Sequence, residues 1–190
     1  MGDVTLSGRY FENEGIIYAL RVSDDGALVS MPYNTAATHA GKFFFTNFYN
    51  AAIAAAGTID VLVVTGATTT PHLAVMVDIG AASTLSIYEA VTASNNGTAL
   101  SVYNANRQST KVTTAAAYHT PTITGTGTTL MLNHYIAGGT TGNATGGSSS
   151  DFARVTEFVL KASTKYLFRV TNIAAGATAG SVQLGWYENV

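Results

Sequence analysis

The chain has 190 residues, 47% of them hydrophobic and only 11% charged, with a net charge of −2 and no cysteine. Many apolar residues with so little charge exclude intrinsic disorder, and the acidic balance excludes a basic footprint for nucleic acid or an anionic membrane. The absence of cysteine excludes a disulfide framework, thiolate-bound zinc and thiol catalysis. A chain of this length buries roughly 70% of its unfolded surface, enough for one domain with a core of its own.

Residues 1–10 contain no apolar run of the kind a secretory signal needs. Leu6 stands where N-myristoylation would require Ser or Thr. The expectation is a soluble chain used without export. Residues 16–22 and 27–29 flank Asp24-Asp25-Gly26, which predicts a hairpin with Asp25-Gly26 at a type I′ turn. This hairpin precedes the main strand series, so residues 1–40 form an arm or an accessory hairpin and residues 41–190 the principal domain. Arms of this kind pair with a neighbouring subunit or add a ribbon to their own sheet; both remain open.

Residues 50–56 are alanine-rich, but two turns are too few for a stable isolated helix. An extended or irregular lead into the next strand is expected there. Residues 59–64 form a continuous apolar, β-branched run, which predicts a strand buried on both faces. The longest greasy stretch, 51–64, is interrupted by Gly57 and Asp60 and is too short to cross a bilayer. Period-two alternation then recurs at Leu73, Val75, Val77 and Ile79, and at Leu85, Ile87, Glu89 and Val91. It continues at Leu130, Leu132, His134 and Ile136, at Tyr166, Phe168 and Val170, and at Val182, Leu184 and Trp186. Turn chemistry separates the runs: Thr65-Gly66, Asn95-Asn96-Gly97, Gly125-Thr126-Gly127 and residues 176–180. Residues 137–150, rich in Gly, Ser and Thr, read as a long exposed loop. The fold class is all-β, an antiparallel sandwich or barrel with almost no helix.

No arrangement of residues carries a catalytic signature. Asp78 and Glu89 occupy similar positions in two strands expected to be adjacent, which would suit a pair of carboxylates across a cleft. The plainer reading makes them outward residues facing solvent or a base such as Lys111 or Arg169. His39, His72, His119 and His134 have no close ligand spacing, so no metal site and no cofactor are expected. No nucleophile elbow and no phosphate loop occur. Asn96 and Asn143 begin sugar-acceptor sequons that carry no meaning without export. The aromatics Phe43, Phe44, Phe45, Phe48, Tyr49, Trp186 and Tyr187 are expected mostly in the core. Three consecutive phenylalanines cannot share one face of a strand, so at least one should point outward, toward a partner.

The order of several segments resembles the tailed-bacteriophage head decoration, or cement, proteins. The segments are Gly41-Lys42-Phe43-Phe44, residues 53–66, Pro71-His72-Leu73, residues 85–90, residues 104–110, residues 166–172 and Gly185-Trp186-Tyr187-Glu188. The resemblance covers residues 41–190 and is one of segment order. It implies a jelly-roll-like sandwich and a non-enzymatic role on the outside of an icosahedral head assembled in the host cytoplasm. The implied partners are the major capsid protein and copies of the chain itself, a trimer ahead of a dimer, with neither nucleic acid nor membrane. Ile16, Ile17, Tyr18, Phe43, Phe44, Phe45 and Tyr135 are the expected interface residues. The alternative is a tail, fibre or receptor-binding module offering the 137–150 loop, with His134 and Tyr135, to glycans. A carbohydrate-active enzyme is disfavoured by the single tryptophan and the lack of clearly paired acids.

Overall fold

In a computed structural model, the described residues are 21–22, 28–29, 33–138, 148–149 and 157–188. They form an all-β, antiparallel sandwich with a single short helix. In chain order come β1 (Arg21–Val22), β2 (Leu28–Val29), α1 (Tyr33–His39), β3 (Phe43–Ile53), β4 (Thr58–Val64), β5 (His72–Ile79) and β6 (Ser83–Glu89). Five short strands follow: β7 (Thr92–Asn95), β8 (Thr98–Ala99), β9 (Tyr103–Asn104), β10 (Ala116–His119) and β11 (Thr122–Gly125). The chain continues with β12 (Thr128–Ile136), β13 (Ser148–Ser149), β14 (Phe158–Val159), β15 (Lys165–Asn172) and β16 (Thr178–Tyr187).

One sheet runs β12-β6-β15-β4-β10-β8, and the other runs β13-β5-β16-β3-β9 with β14 also on β5. β3, β4, β5 and β6 alternate between the sheets along the chain, β12 pairs with β6 in the same sheet, and β14, β15 and β16 alternate again. The residues between β6 and β12, 90–127, form an excursion that extends both sheets at the opposite side: β10 pairs with β4, and β9 with β3. His119 of β10 stacks on Phe48 of β3, ring centroids 4.3 Å apart, and fastens the two sheets along that side.

The inner faces are filled by the alternating residues, as period two requires. Leu73, Val75, Val77 and Ile79 meet Ile59, Val61 and Val63 together with Tyr166, Phe168 and Val170. Val182, Leu184 and Trp186 complete the layer, with Phe44 6.5 Å from the Trp186 ring. The apolar run of β4 is buried on both faces, as its sequence predicts. Leu62 joins Val91 and Leu167 in a second cluster, flanked by Val64, Tyr88, Ala93, Tyr118 and Ile123. The β7–β11 ribbon contributes Ala93 and Ile123 to this cluster, so the outer face of one sheet has a cover of its own.

Residues 50–53 are extended, as expected, within β3. The short helix α1 has no counterpart in the sequence reading. Ala37 is buried, and Asn106 Nδ2 donates to the His39 carbonyl at 3.0 Å. The chain therefore packs on the sandwich before the expected boundary at residue 41. β1 and β2 pair antiparallel, Arg21 opposite Val29, as expected for the hairpin arms; the turn at Asp25-Gly26 lies outside the described residues. Most of the 137–150 loop also lies outside them, although Ser148 and Ser149 form a strand on β5 rather than loop.

Two face assignments change. Leu130 and Leu132 were expected to share the inner face with His134 and Ile136. Register shifts between Thr129 and Met131 and between Met131 and His134 break the alternation, with Asn133 at φ 52°. Met131 packs against the core instead, while Leu130 and Leu132 are 42% and 63% exposed. Ala90, at φ 58°, ends β6 and delivers Val91 to the outer cluster rather than to the inner row.

Two turns depend on glycine. Gly97 has φ 93°, its N–H donates to Asn95 Oδ1 at 2.9 Å, and a Cβ there would lie 2.2 Å from the His119 carbonyl oxygen. At Gly127, φ 64°, a Cβ would lie 2.3 Å from the Glu89 oxygen. Asn172 staples the other end of the sandwich. Its Nδ2 donates to the carbonyls of Ile53, Ala54 and Gly176, and its Oδ1 accepts from Ala174 N–H. Asn172→Ala leaves these buried groups short of partners and should cost about 1–3 kcal/mol. Urea unfolding checks this: the midpoint falls with the slope unchanged.

Candidate functional site

The two carboxylates weighed as a catalytic pair are separated by the fold. Asp78 belongs to β5 in one sheet and Glu89 to β6 in the other. Glu89 accepts from Lys161 Nζ at 2.6 Å and from Tyr166 OH at 2.9 Å. The hydrogen bonds from Lys161 and then Tyr166 hold its carboxyl below the ordinary value. Burial pushes the Tyr166 phenol up to about 12, so it serves as a donor throughout the physiological range. The base expected opposite Asp78 or Glu89, Arg169, instead binds Asp60 in a two-pronged pair at 2.8 and 2.6 Å. Such partnered, partly exposed ions stabilise strand pairing modestly. Lys161→Ala should therefore lower stability by less than about 1 kcal/mol, and thermal melts of the two proteins should nearly superimpose.

The histidines are dispersed among structural contacts. His119 stacks on Phe48, and His39 ends α1. His72 Nδ1 contacts Glu157 Oε1, and Tyr187 OH donates to the same oxygen at 2.6 Å while stacking on the His72 ring. No group of three or more His, Asp or Glu side chains with metal-binding geometry exists among the described residues.

The phenylalanine triplet divides as its alternation requires. Phe44, expected at an interface, is 1% exposed and belongs to the core; β3 turns its even-numbered residues here toward the other sheet. Phe43 and Phe45 take the outer face. Phe43 covers Gly185, and Phe45 lies 5.8 Å from the Tyr103 ring. Tyr135 is on the surface at 60% exposure, as an interface residue must be. Ile16, Ile17 and Tyr18 lie outside the described residues. Tyr135 shares strand β12 with the exposed Leu130 and Leu132, and among the described residues β12 is the last strand of its sheet. The sequence of β12, Thr-Thr-Leu-Met-Leu-Asn-His-Tyr-Ile, holds no Lys, Arg, Asp or Glu. This uncharged apolar edge is the candidate interaction surface. Sequence reasoning missed it by assigning Leu130 and Leu132 to the core.

A second surface feature lies on the outer face of the other sheet. Ser181 is registered opposite Tyr49 on one side and Asp78 on the other. These residues line a shallow groove of about 240 Å³ together with Ile79, Gly80, Ala179 and Gly180.

The strongest polar site was also missed, and it is internal. Glu188 is fully buried, with no cation in a salt bridge to it among the described residues. Its Oε1 accepts from Thr113 Oγ1 at 2.5 Å, Trp186 Nε1 at 2.9 Å and Ala115 N–H at 3.2 Å. Its Oε2 accepts from Thr114 N–H and Thr114 Oγ1, both at 2.9 Å, and from Thr69 Oγ1 at 3.4 Å. Burial pushes the carboxyl up, but the donors on Thr113, Thr114 and Trp186 outweigh it and hold Glu188 below the ordinary value. The end of β16 is thereby latched to the excursion just before β10. A closed cage with every lone pair occupied leaves no room for substrate, so this site is structural. The available signal was the lone acid two residues after an inward-facing tryptophan, on the same face of the strand by parity.

The chain matches no protein-family model, no curated protein and no solved structure.

Proposed function

We propose that the chain is a non-enzymatic structural protein of a tailed-phage particle. Its role in this reading is to decorate the outer surface of the icosahedral head and brace it. The observation that carries the reading is the uncharged, apolar and exposed strand β12 on an otherwise well-packed sandwich. Solvent-exposed edges of soluble monomers are normally guarded by charge, proline or a covering segment. Strand β12 itself holds no Lys, Arg, Asp, Glu or Pro, which suits a protein that works within an assembly. The acids Asp60, Glu89, Glu157 and Glu188 are all engaged in structural contacts, which supports a role without catalysis. Strand orders β3-β16-β5-β14 and β4-β15-β6-β12 follow the winding of a jelly roll, in support of the segment-order resemblance. The partners in this reading are the major capsid protein and further copies of the chain, a trimer before a dimer, with no cofactor.

Rebinding tests it. Purified chain added to phage heads lacking it should bind to saturation, in simple ratio to the shell protein, and raise the temperature at which heads rupture. Absence of binding contradicts the reading.

A second reading is favoured by the groove at Tyr49, Ser181 and Asp78. An exposed aromatic ring two strands from a carboxylate is the chemistry of sugar recognition, which would suit a tail or receptor-binding module. Binding on a glycan array, lost in Tyr49→Ala, supports this second reading; a blank array removes it.

A further inference from the structure

We infer that Asn96 is a self-modification site, where the side-chain amide is lost without an enzyme and the chain ages to aspartate and isoaspartate forms. The site lies wholly among the described residues and is independent of the assembly reading.

Asn96 is the one asparagine of the sequence followed by glycine. No side chain shields the Gly97 nitrogen, so it can approach the amide carbon of its neighbour within the same turn. The pair sits between β7 and β8. Asn96 and Gly97 are half-buried and Asn95 is exposed, which leaves the turn within reach of water. The fold adds a cation at the group to be attacked. Lys165 Nζ, from β15, donates to Asn96 Oδ1 at 2.8 Å. An ammonium there draws electron density from the amide carbon and steadies the negative charge that the oxygen acquires in the tetrahedral intermediate. The Gly97 N–H donates to Asn95 Oδ1, and this contact at an exposed side chain opens when the nitrogen reacts.

The chemistry needs only water. Hydroxide takes the Gly97 N–H proton, and the nitrogen forms a bond to Asn96 Cγ. The Cγ–Nδ2 bond breaks, and Nδ2 takes a proton from water and leaves as ammonia. A cyclic imide remains. Water then adds to one of its carbonyls. Addition at Cγ breaks the new bond to Gly97 and gives aspartate. Addition at the main-chain carbonyl breaks the original peptide bond and gives isoaspartate. Each conversion consumes water, releases ammonia and changes no oxidation state.

The two products act differently on the fold. Aspartate keeps the main chain intact and gives Lys165 a charged partner. Isoaspartate routes the main chain through Cγ and inserts a methylene next to Gly97, where there is no room to spare. A Cβ on Gly97 would lie 2.2 Å from the His119 carbonyl oxygen and 2.9 Å from the Pro121 nitrogen. His119 pairs with Thr98 of β8 and stacks on Phe48 of the other sheet. The isoaspartate form therefore loosens the side of the sandwich that this stack fastens.

The test holds the purified full chain at neutral and at mildly alkaline pH and follows each asparagine by peptide mass spectrometry. Asn96 should convert ahead of every other asparagine, and faster at the higher pH, with isoaspartate scored by isoaspartate-specific methylation. Lys165→Met keeps the aliphatic stem, removes the cation and should slow the conversion by about tenfold. Lys165→Arg restores a charged donor and should recover most of the rate. In concentrated urea, where Lys165 is no longer held at Asn96, wild type and Lys165→Met should convert equally. Asn96→Asp should melt at or above the wild-type midpoint, and aged chain carrying isoaspartate below it. A folded wild-type chain that leaves Asn96 intact overturns the inference. So do equal rates for folded wild type and Lys165→Met, or a slow Lys165→Met that Lys165→Arg does not rescue. An isoaspartate form that melts together with Asn96→Asp overturns the loosening assigned to it.

Discussion

Glu188→Ala is expected to cost about 3–5 kcal/mol, because it strips the acceptor from several buried donors at once. Trp186 Nε1, Thr114 N–H and Ala115 N–H all point at the vacated carboxylate, and each unsatisfied buried donor costs about 1–3 kcal/mol before relaxation. For a chain of this size, the thermal midpoint should drop by about 2–4 °C per kcal/mol. Glu188→Gln should recover only part of the loss, since its amide nitrogen would face donors. The latch also predicts acid sensitivity. The folded carboxyl lies below its ordinary value of 4.5, so its stabilisation is fully present above that value. The stabilisation is lost as pH falls through the lower, folded value, where the native state must take up a proton. Stability measured from pH 7 down to pH 3 should therefore fall more steeply in the wild type than in Glu188→Gln. Equal slopes would show that the carboxylate is not held ionised in the cage.

Leu167→Ala and Phe168→Ala should both be severe, although they face opposite ways on β15. Phe168 fills the layer between the sheets, and its truncation should cost about 3–5 kcal/mol. Simple alternation would place Leu167 outside, where truncation costs little. Here Leu167 is fully buried with Leu62 and Val91 beneath the β7–β11 ribbon, so its truncation should cost about 2–5 kcal/mol. Chemical denaturation of the two variants decides it. A change under about 0.5 kcal/mol for Leu167→Ala, the ordinary surface value, would mean the ribbon does not cover this sheet.

Much of the fold is legible in the residues because period-two patterning and burial on one face are the same fact. The rows at 73–79, 166–170 and 182–186 are inner faces, and the continuous run at 59–64 is a strand buried twice over. The reading stopped where a local conformation breaks the period. Asn133 at φ 52° and the register shifts around it move Leu130 and Leu132 outward, and nothing in the pattern Leu-Met-Leu-Asn announces that. Asp78 and Glu89 were placed side by side because strands close in sequence were taken as neighbours in space. The chain instead passes to the other sheet between β5 and β6. The Glu188 cage joins residues 69, 113–115 and 186–188, a convergence that only the topology creates. Of the expected surface residues, Tyr135 and the outward phenylalanines keep that place, while Phe44 goes to the core by parity alone.

The central claim, that this is a repeated tile of a phage head, is tested most directly by its copy number in purified particles. Quantitative mass spectrometry against the major shell protein gives that number. The account predicts hundreds of copies in a simple ratio to the shell protein. A few dozen copies or fewer would contradict it, and would transfer the chain to the tail or fibres.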